Sequence, residues 1–292
     1  MNNLMGKVVT AMIIDKNEQS LFAQKEGVTI RVLDKEVNDY DIGEMIEGFV
    51  YTDQKEDVVM MTTLPEIRED HYGWGEVVAV QHDLGVFVDV GWIGKDLAVS
   101  MDELPIFKNV WPRKGDRLYL RPFLDEKNRL WGQLADVSYL LNTAEKGQES
   151  MHNDDIKGTI VSSLKAGSYI WLEEGYLGFI HPNEREEEPR LGKSLKGRVI
   201  GLRDDNVLYI SLLPRVHEVL DEDAAMIYEV LKRSENYRIP YHDKSAPDDI
   251  REYFGISKGQ FKRAVGRLMK NNLVKQDENG TYMTEEAIEK EQ

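Results

Sequence analysis

A four-residue strand carries the sharpest chemical signal in this chain. In Tyr169-Ile170-Trp171-Leu172 the side chains alternate, so Ile170 and Leu172 face a core while Tyr169 and Trp171 share the opposite side. Two exposed aromatics on one face form a stacking platform for unpaired bases, a contact worth roughly 1–3 kcal/mol per base. His181 follows in Gly178-Phe179-Ile180-His181 and can stack on a base or donate to a phosphate. Arg198, in the next hairpin, adds a cation to the same candidate set.

A second stretch, Val86-Phe87-Val88-Asp89-Val90, repeats the pattern with less conviction. Phe87 is its platform residue, yet Asp89 two positions on repels phosphate, and Trp92 just beyond is the substitute. The hairpin that follows supplies Arg113, Lys114, Arg117 and Arg121. A third stretch, Leu21-Phe22-Ala23, has Phe22 alone, which fits a structural role better than a binding one.

The other chemical signal is electrostatic. From Ile256 to Lys275 there are six bases and no acid: Lys258, Lys262, Arg263, Arg267, Lys270 and Lys275. With Phe261, Val265, Leu268 and Met269 expected as the apolar stripe of a helix, the basic heads are free to meet phosphates. Catalytic arrangements are missing. The six histidines, His71, His82, His152, His181, His217 and His242, show no metal-ligand spacing, and there is neither a phosphate-binding loop nor a nucleophile elbow. The acidic run Glu184-Arg185-Glu186-Glu187-Glu188 precedes Pro189 and reads as a solvated loop. No enzyme activity, cofactor or metal is expected.

Several elements must position these residues. Three β-branched runs open with glycine, at Gly6, Gly75 and Gly158, and each leads through a polar turn to a second short strand and a later hairpin. Short strands at regular spacing, punctuated by Gly, Asp and Asn, suggest small five-stranded barrels. After Pro214 the apolar period becomes helical, from Val219 and Leu220 through Ala224, Ile227 and Leu231. Ser245 is expected to cap one helix, Gly255 to end it, and Ser257 to cap the next. Leu273 to Met283, turning at Asp277-Glu278-Asn279-Gly280, reads as a hairpin. Helices followed by a β-ribbon describe a winged helix-turn-helix. The fold class is therefore mainly β with an α C-terminal domain. Its expected parts are a degenerate barrel over 1–66, a barrel over 67–138, a linker over 139–155, a barrel over 156–214 and the winged helix over 215–292.

The 292 residues, 41% of them apolar, suffice for several packed cores. No apolar run is long enough to cross a bilayer, and Met1 to Val8 lacks the basic head and apolar stretch of a signal peptide. The absence of cysteine excludes disulfides and thiolate sites and fits a reducing, cytoplasmic setting. The net charge of −16 argues against coating nucleic acid through a global positive field. Binding must come from local patches and stacking.

The third repeat resembles the S1 domain, an RNA-binding barrel of the oligonucleotide-binding fold. The resemblance lies in Gly158-Thr159-Ile160, Tyr169-Ile170-Trp171-Leu172, Gly178-Phe179-Ile180-His181 and Tyr209-Ile210-Ser211-Leu212. It implies RNA-facing roles for Tyr169 and His181. The second repeat has Val99 where that pattern has histidine, and the first lacks both the aromatic strand and the histidine. S1-like repeats followed by a winged helix resemble the conserved virulence factor B family of Gram-positive bacteria. That resemblance implies an RNA-binding regulator of virulence gene expression. The expected partner is single-stranded RNA ahead of duplex DNA, with no membrane. The alternatives are a DNA-binding transcription regulator using the winged helix and a nuclease-associated adaptor.

Overall fold

The structure, a computed structural model, describes residues 4–214 and 222–289. Val219 and Leu220, expected in the first helical run, and His217 lie outside the described residues. The described chain divides into two compact units, the first ending at Leu213 and the second beginning at Pro214.

The first unit holds three closed five-stranded barrels. Barrel one consists of β1 (Lys7–Lys16), β2 (Leu21–Lys25), β3 (Val28–Val32), β4 (Met45–Thr52) and β5 (Val58–Met61). Barrel two consists of β6 (Gly73–Gln81), β7 (Gly85–Trp92), β8 (Lys95–Ser100), β9 (Arg117–Leu124) and β10 (Leu130–Leu134). Barrel three consists of β11 (Asp155–Leu164), β12 (Gly167–Leu172), β13 (Leu177–Ile180), β14 (Ser194–Leu202) and β15 (Leu208–Ser211). In each, the third and fifth strands pair in parallel, and the fourth closes the barrel against the first.

One device closes all three. The long first strand pairs with two neighbours, and its register slips midway: between Ile13 and Asp15, between Val77 and Ala79, and between Ile160 and Ser162. A bulge adds the bend and twist that a small barrel needs. Just before it, in barrels two and three, stands a glycine with no room for a side chain. A Cβ on Gly75 would meet Val88 Cγ1 at 2.4 Å, and one on Gly158 the Trp171 carbonyl oxygen at 2.5 Å. In barrel one the corresponding residue is the fully buried Ala11. Gly6 precedes β1 at φ 77° and is therefore not the counterpart that the glycine spacing suggests.

Residues 139–155 include most of a short helix, α1 (Val137–Thr143), capped by the Asp136 carboxylate, which accepts from the Tyr139 backbone N–H. Its Leu140 is fully buried between barrels two and three.

The barrels are fastened to one another. Between barrels one and two, the outward residues of β4, Phe49 and Tyr51, enclose Trp92. The Trp92 indole N–H donates to the Ile67 carbonyl at 2.9 Å, and the Tyr51 hydroxyl to the Ile93 carbonyl at 2.8 Å. Between barrels two and three, Arg190 donates to both oxygens of the buried Asp116 carboxylate at 2.6 and 2.9 Å. Asp116 also accepts from the Arg113 backbone N–H at 2.7 Å.

The second unit contains α2 (Glu222–Arg233), α3 (Pro247–Phe254), α4 (Lys258–Lys270), a three-stranded sheet of β16 (Arg238–Ile239), β17 (Val274–Asp277) and β18 (Gly280–Met283), and α5 (Glu285–Glu289). Ser257 and Gln260 form a reciprocal capping box at the start of α4, and Gly255 ends α3 in the left-handed conformation. Ala246 sits at the cap position of α3, and Ser245 instead accepts from the His242 backbone N–H. Ala264 completes the buried stripe of α4 alongside Phe261, Val265 and Leu268. Met269, expected in that stripe, is 44% exposed because it falls one position past Leu268 on the turn. The wing β17–β18 is tied back by Arg238, which donates to both Asp277 oxygens and lies 4.4 Å from the Tyr282 ring centre.

Asp116→Ala strands the Arg190 charge and one backbone N–H at the barrel joint. A loss of about 2 kcal/mol in the first unit is expected. It reads as a lower urea midpoint for the β-sheet signal, with the helical signal of the second unit unmoved.

Candidate nucleic-acid interface

Strand alternation makes the first division among the candidate residues. In β12, Ile170 and Leu172 fill barrel three and are fully buried, as expected. Tyr169 and Trp171 do share the outer face, but they do not form an exposed pair. Tyr169 is only 7% exposed, covered by the edge of Phe179 on β13 at 5.1 Å between ring centres. Trp171 is half-buried against Tyr119 of barrel two, ring centres 5.6 Å apart and 25° from parallel. Alternation within one strand fixes which side chains face outward, not which neighbour covers them.

What the outer face offers is a row. Tyr169 pairs with Phe179 across β12 and β13, and Phe179 with Tyr209 across β13 and β15. Arg203 lies over the Phe179 ring at 5.0 Å and bonds Asp205 at 3.2 Å. Tyr209 is the open end, 38% exposed. Beside the row, His181 is exposed, and its Nδ1 accepts from the Asn183 backbone N–H at 3.2 Å. Behind it, Arg185 hydrogen-bonds the buried Ser168 hydroxyl. Phe179, Tyr209 and Arg203 were missed in the sequence. The alternation Tyr209-Ile210-Ser211 carried a usable signal, since a buried Ile210 forces Tyr209 outward.

Arg198 is half-buried and donates to the Asn153 side chain at 3.2 Å, while its Nε is buried without a hydrogen-bond partner. Phe87 is half-buried on β7 between Ala79 and Ala98, on a different barrel from the row. Trp92 is excluded as a platform: it is 4% exposed and fills the joint between barrels one and two.

Barrels two and three share an aromatic seam instead. Tyr72, Trp74 and Tyr119 of barrel two meet Tyr139 of α1 and Trp171 of barrel three, with neighbouring ring centres 4.2–6.4 Å apart. Arg117 covers Trp74 at 5.2 Å and Arg121 covers Tyr72 at 5.1 Å. Burial, helped by the neighbouring Tyr139, pushes the Tyr119 hydroxyl up to about 12.

In the second unit, Lys262, Arg263, Arg267 and Lys270 are exposed along α4 and Lys258 is half-buried at its start. Lys262 is paired with Asp243 at 3.4 Å, which lowers its net pull on a phosphate. Arg263 and Lys270 lie on the solvent side of a helix held by the apolar core beneath it. Among the described residues, no group of three acidic or histidine side chains could hold a metal ion. No helix among them is long and apolar enough to cross a membrane.

Known domains match this architecture along its length. The S1 domain matches residues 5–64, the CvfB first S1-like domain 72–133, the second domain of virulence regulatory factor CvfB 140–214, and the CvfB-like winged helix domain 225–283. Barrel one therefore matches the S1 domain despite lacking the aromatic strand. The chain is 38% identical over 278 residues to the uncharacterized protein YitL of Bacillus subtilis, covering 95% of this chain and 93% of that protein. It is 34% identical over 256 residues to conserved virulence factor B of Staphylococcus aureus, covering 85% of this chain and 83% of that protein. A crystal structure of a multidomain protein with nucleic acid binding domains from Streptococcus pneumoniae aligns with a TM-score of 0.69 at 42% identity. That alignment covers 97% of this chain and 99% of the other.

The raised Tyr119 group gives the seam a pH signature. Its folded value of about 12 lies above the ordinary 10.0, so the folded state resists losing that proton. The seam is at full strength below pH 10 and weakens as pH rises from 10 toward 12. A thermal melt of the β-sheet signal should fall across that window. Tyr119→Phe should reduce the fall, leaving the part due to Tyr51, whose hydroxyl is also pushed up to about 12 by burial.

Proposed function

The chain belongs to the conserved virulence factor B family, and on that premise we propose that it binds single-stranded RNA without catalysing a reaction on it. Its setting is the cytoplasm and its role the regulation of virulence gene expression. The observation that carries the RNA reading is the outer row of barrel three: Tyr169, Phe179 and Tyr209 on adjacent strands, with the Arg203 guanidinium over the middle ring. Aromatic faces and a guanidinium plane select unpaired bases, because a base inside a duplex has no free face. The net charge of −16 also disfavours long-range attraction to a duplex.

The parts divide the work. Tyr209 and Arg203 take bases, with His181 beside them for a base or a phosphate. Tyr169 supports Phe179 from below and acts through packing. Arg263, Arg267 and Lys270 on α4, with the ion-paired Lys262, contribute phosphate contacts. Lys258 and Arg198, half-buried at the margins, add charge. Barrels one and two serve as scaffold, and Phe87 packs rather than binds. A second reading has one observation in its favour: the third helix of a winged helix is the element that enters a duplex groove, and α4 carries the exposed bases.

Fluorescence anisotropy with a labelled uridine-rich oligoribonucleotide and a labelled DNA duplex separates the two. Single-stranded RNA should bind more tightly. Tyr209→Ala should weaken it about 5- to 100-fold, with the melting temperature little changed because that ring lies outside the barrel core and is the most exposed of the row. Equal or tighter binding of the duplex overturns the RNA reading. Unchanged affinity in Tyr209→Ala removes the row from the site.

A further inference from the structure

Barrel two has a cleft that the row on barrel three does not use. Residues 63–67, which lead out of barrel one, wall one side of it, and β6, β7 and β9 form the floor. Its volume is about 440 Å³, within the range of small-ligand sites.

The floor is an ordered arrangement of unlike groups. Glu76 on β6 pairs with Asp89 on β7 and with Arg117 on β9, so the three stand in one row across three strands. Trp74 lies two positions before Glu76 on the same face, and the Arg117 guanidinium sits 5.2 Å from its ring centre. Glu66 enters from the wall.

The charges are out of balance. Like charges directly opposite each other on paired strands destabilise a sheet. Among the described residues, no cation forms an ion pair with Glu76, Asp89 or Glu66, and Arg117 forms none with an acid. Asp89 has one oxygen occupied by the Gly91 backbone N–H at 2.9 Å. Its second oxygen and the Glu76 carboxylate remain as acceptors beside a guanidinium–indole stack. Neither the barrel core nor either barrel joint uses the carboxylates of this set, while Trp74 also backs Tyr119 in the seam.

We propose that this cleft binds one guanine base, stacked on the Arg117–Trp74 pair, with its N1–H and exocyclic amine donating to the Glu76 and Asp89 carboxylates. A carboxylate accepts from adjacent N–H donors and rejects a base that offers acceptors there. Uracil has one ring N–H flanked by two carbonyls, which point at the carboxylates. Adenine has its amine beside a bare acceptor nitrogen. Guanine alone among the common bases presents two adjacent donors. Arg117, at the edge of the stack, is placed to meet the attached phosphate. The site lies on a different barrel from the proposed RNA row and does not depend on it.

The test is a titration of the ¹⁵N-labelled full chain with guanosine 5′-monophosphate and, separately, uridine 5′-monophosphate. The reporter is the Trp74 indole N–H, identified as the signal lost in Trp74→Phe. The guanine nucleotide should shift it, with an affinity at least about fivefold above that of the uridine nucleotide. Glu76→Gln combined with Asp89→Asn should weaken the guanine nucleotide by at least the same factor. The melting temperature should not fall, because that change removes a like-charge pair. A parallel anisotropy arm compares U9 with U4GU4. A gain for U4GU4 in the parent that disappears in the double variant assigns the cleft to a guanine within RNA. Nucleotide binding without that gain assigns it to a free guanine nucleotide. An unmoved Trp74 signal, equal binding of both nucleotides, or parent-like binding by the double variant overturns the proposal. The nucleotide arm reads the cleft whether or not U9 binds, so failure of the RNA reading is seen separately.

Discussion

Closed barrels of five strands leave each outward side chain only two fates, solvent or a neighbour. The interior of a small barrel is filled by every second residue, here Ile160, Ile170, Leu172, Ile180 and Ile210 in barrel three, all of them fully buried. The residues between them must be covered from outside or be polar. This constraint organises the first unit. Phe49 and Tyr51 leave the wall of barrel one and are covered by Trp92 of barrel two. Tyr119, backed by Trp74, leaves the wall of barrel two and meets Trp171 of barrel three. Barrel three is the last barrel among the described residues, and its row ends in the partly exposed ring of Tyr209.

The same constraint explains what could be read from residues alone. Period-two alternation with glycine and Asx punctuation identifies the barrels. Helical spacing with Ser257 and Gly255 as stops identifies α3 and α4, because caps and periods are local. The covering of an outward face is not local. Tyr169 and Trp171 alternate with the core as expected, yet one lies under Phe179 and the other against Tyr119, which is some fifty positions away in the chain. Trp92 was misjudged for the same reason: its partners Phe49 and Tyr51 belong to another barrel. Met269 shows the limit of a helical stripe, since one position on the turn separates the buried Leu268 from an exposed side chain. Gly6 shows the limit of a repeated letter, for the structural counterpart of Gly75 and Gly158 in barrel one is Ala11.

Charge completes the account. On the proposed reading, a chain of net charge −16 holds nucleic acid through local cations and not through its overall field, and several of those cations lie over an aromatic ring. Arg203 over Phe179, Arg117 over Trp74, Arg121 over Tyr72 and Arg238 over Tyr282 follow this pattern. Three of the four are tied to acids that fix their direction, Arg121 to Asp70, Arg203 to Asp205 and Arg238 to Asp277.

The central claim, that the third barrel keeps an aromatic row for unpaired bases while Phe49, Tyr51 and Trp92 are spent on the joint between the first two, is tested most directly by photo-crosslinking. A 4-thiouridine-substituted oligoribonucleotide would be irradiated on the full chain and the attachment sites read by mass spectrometry. The account predicts crosslinks at Tyr209 and its neighbours Arg203 and His181, and none at Phe49, Tyr51 or Trp92. Crosslinks concentrated on barrel one, with Tyr209 untouched, would contradict it.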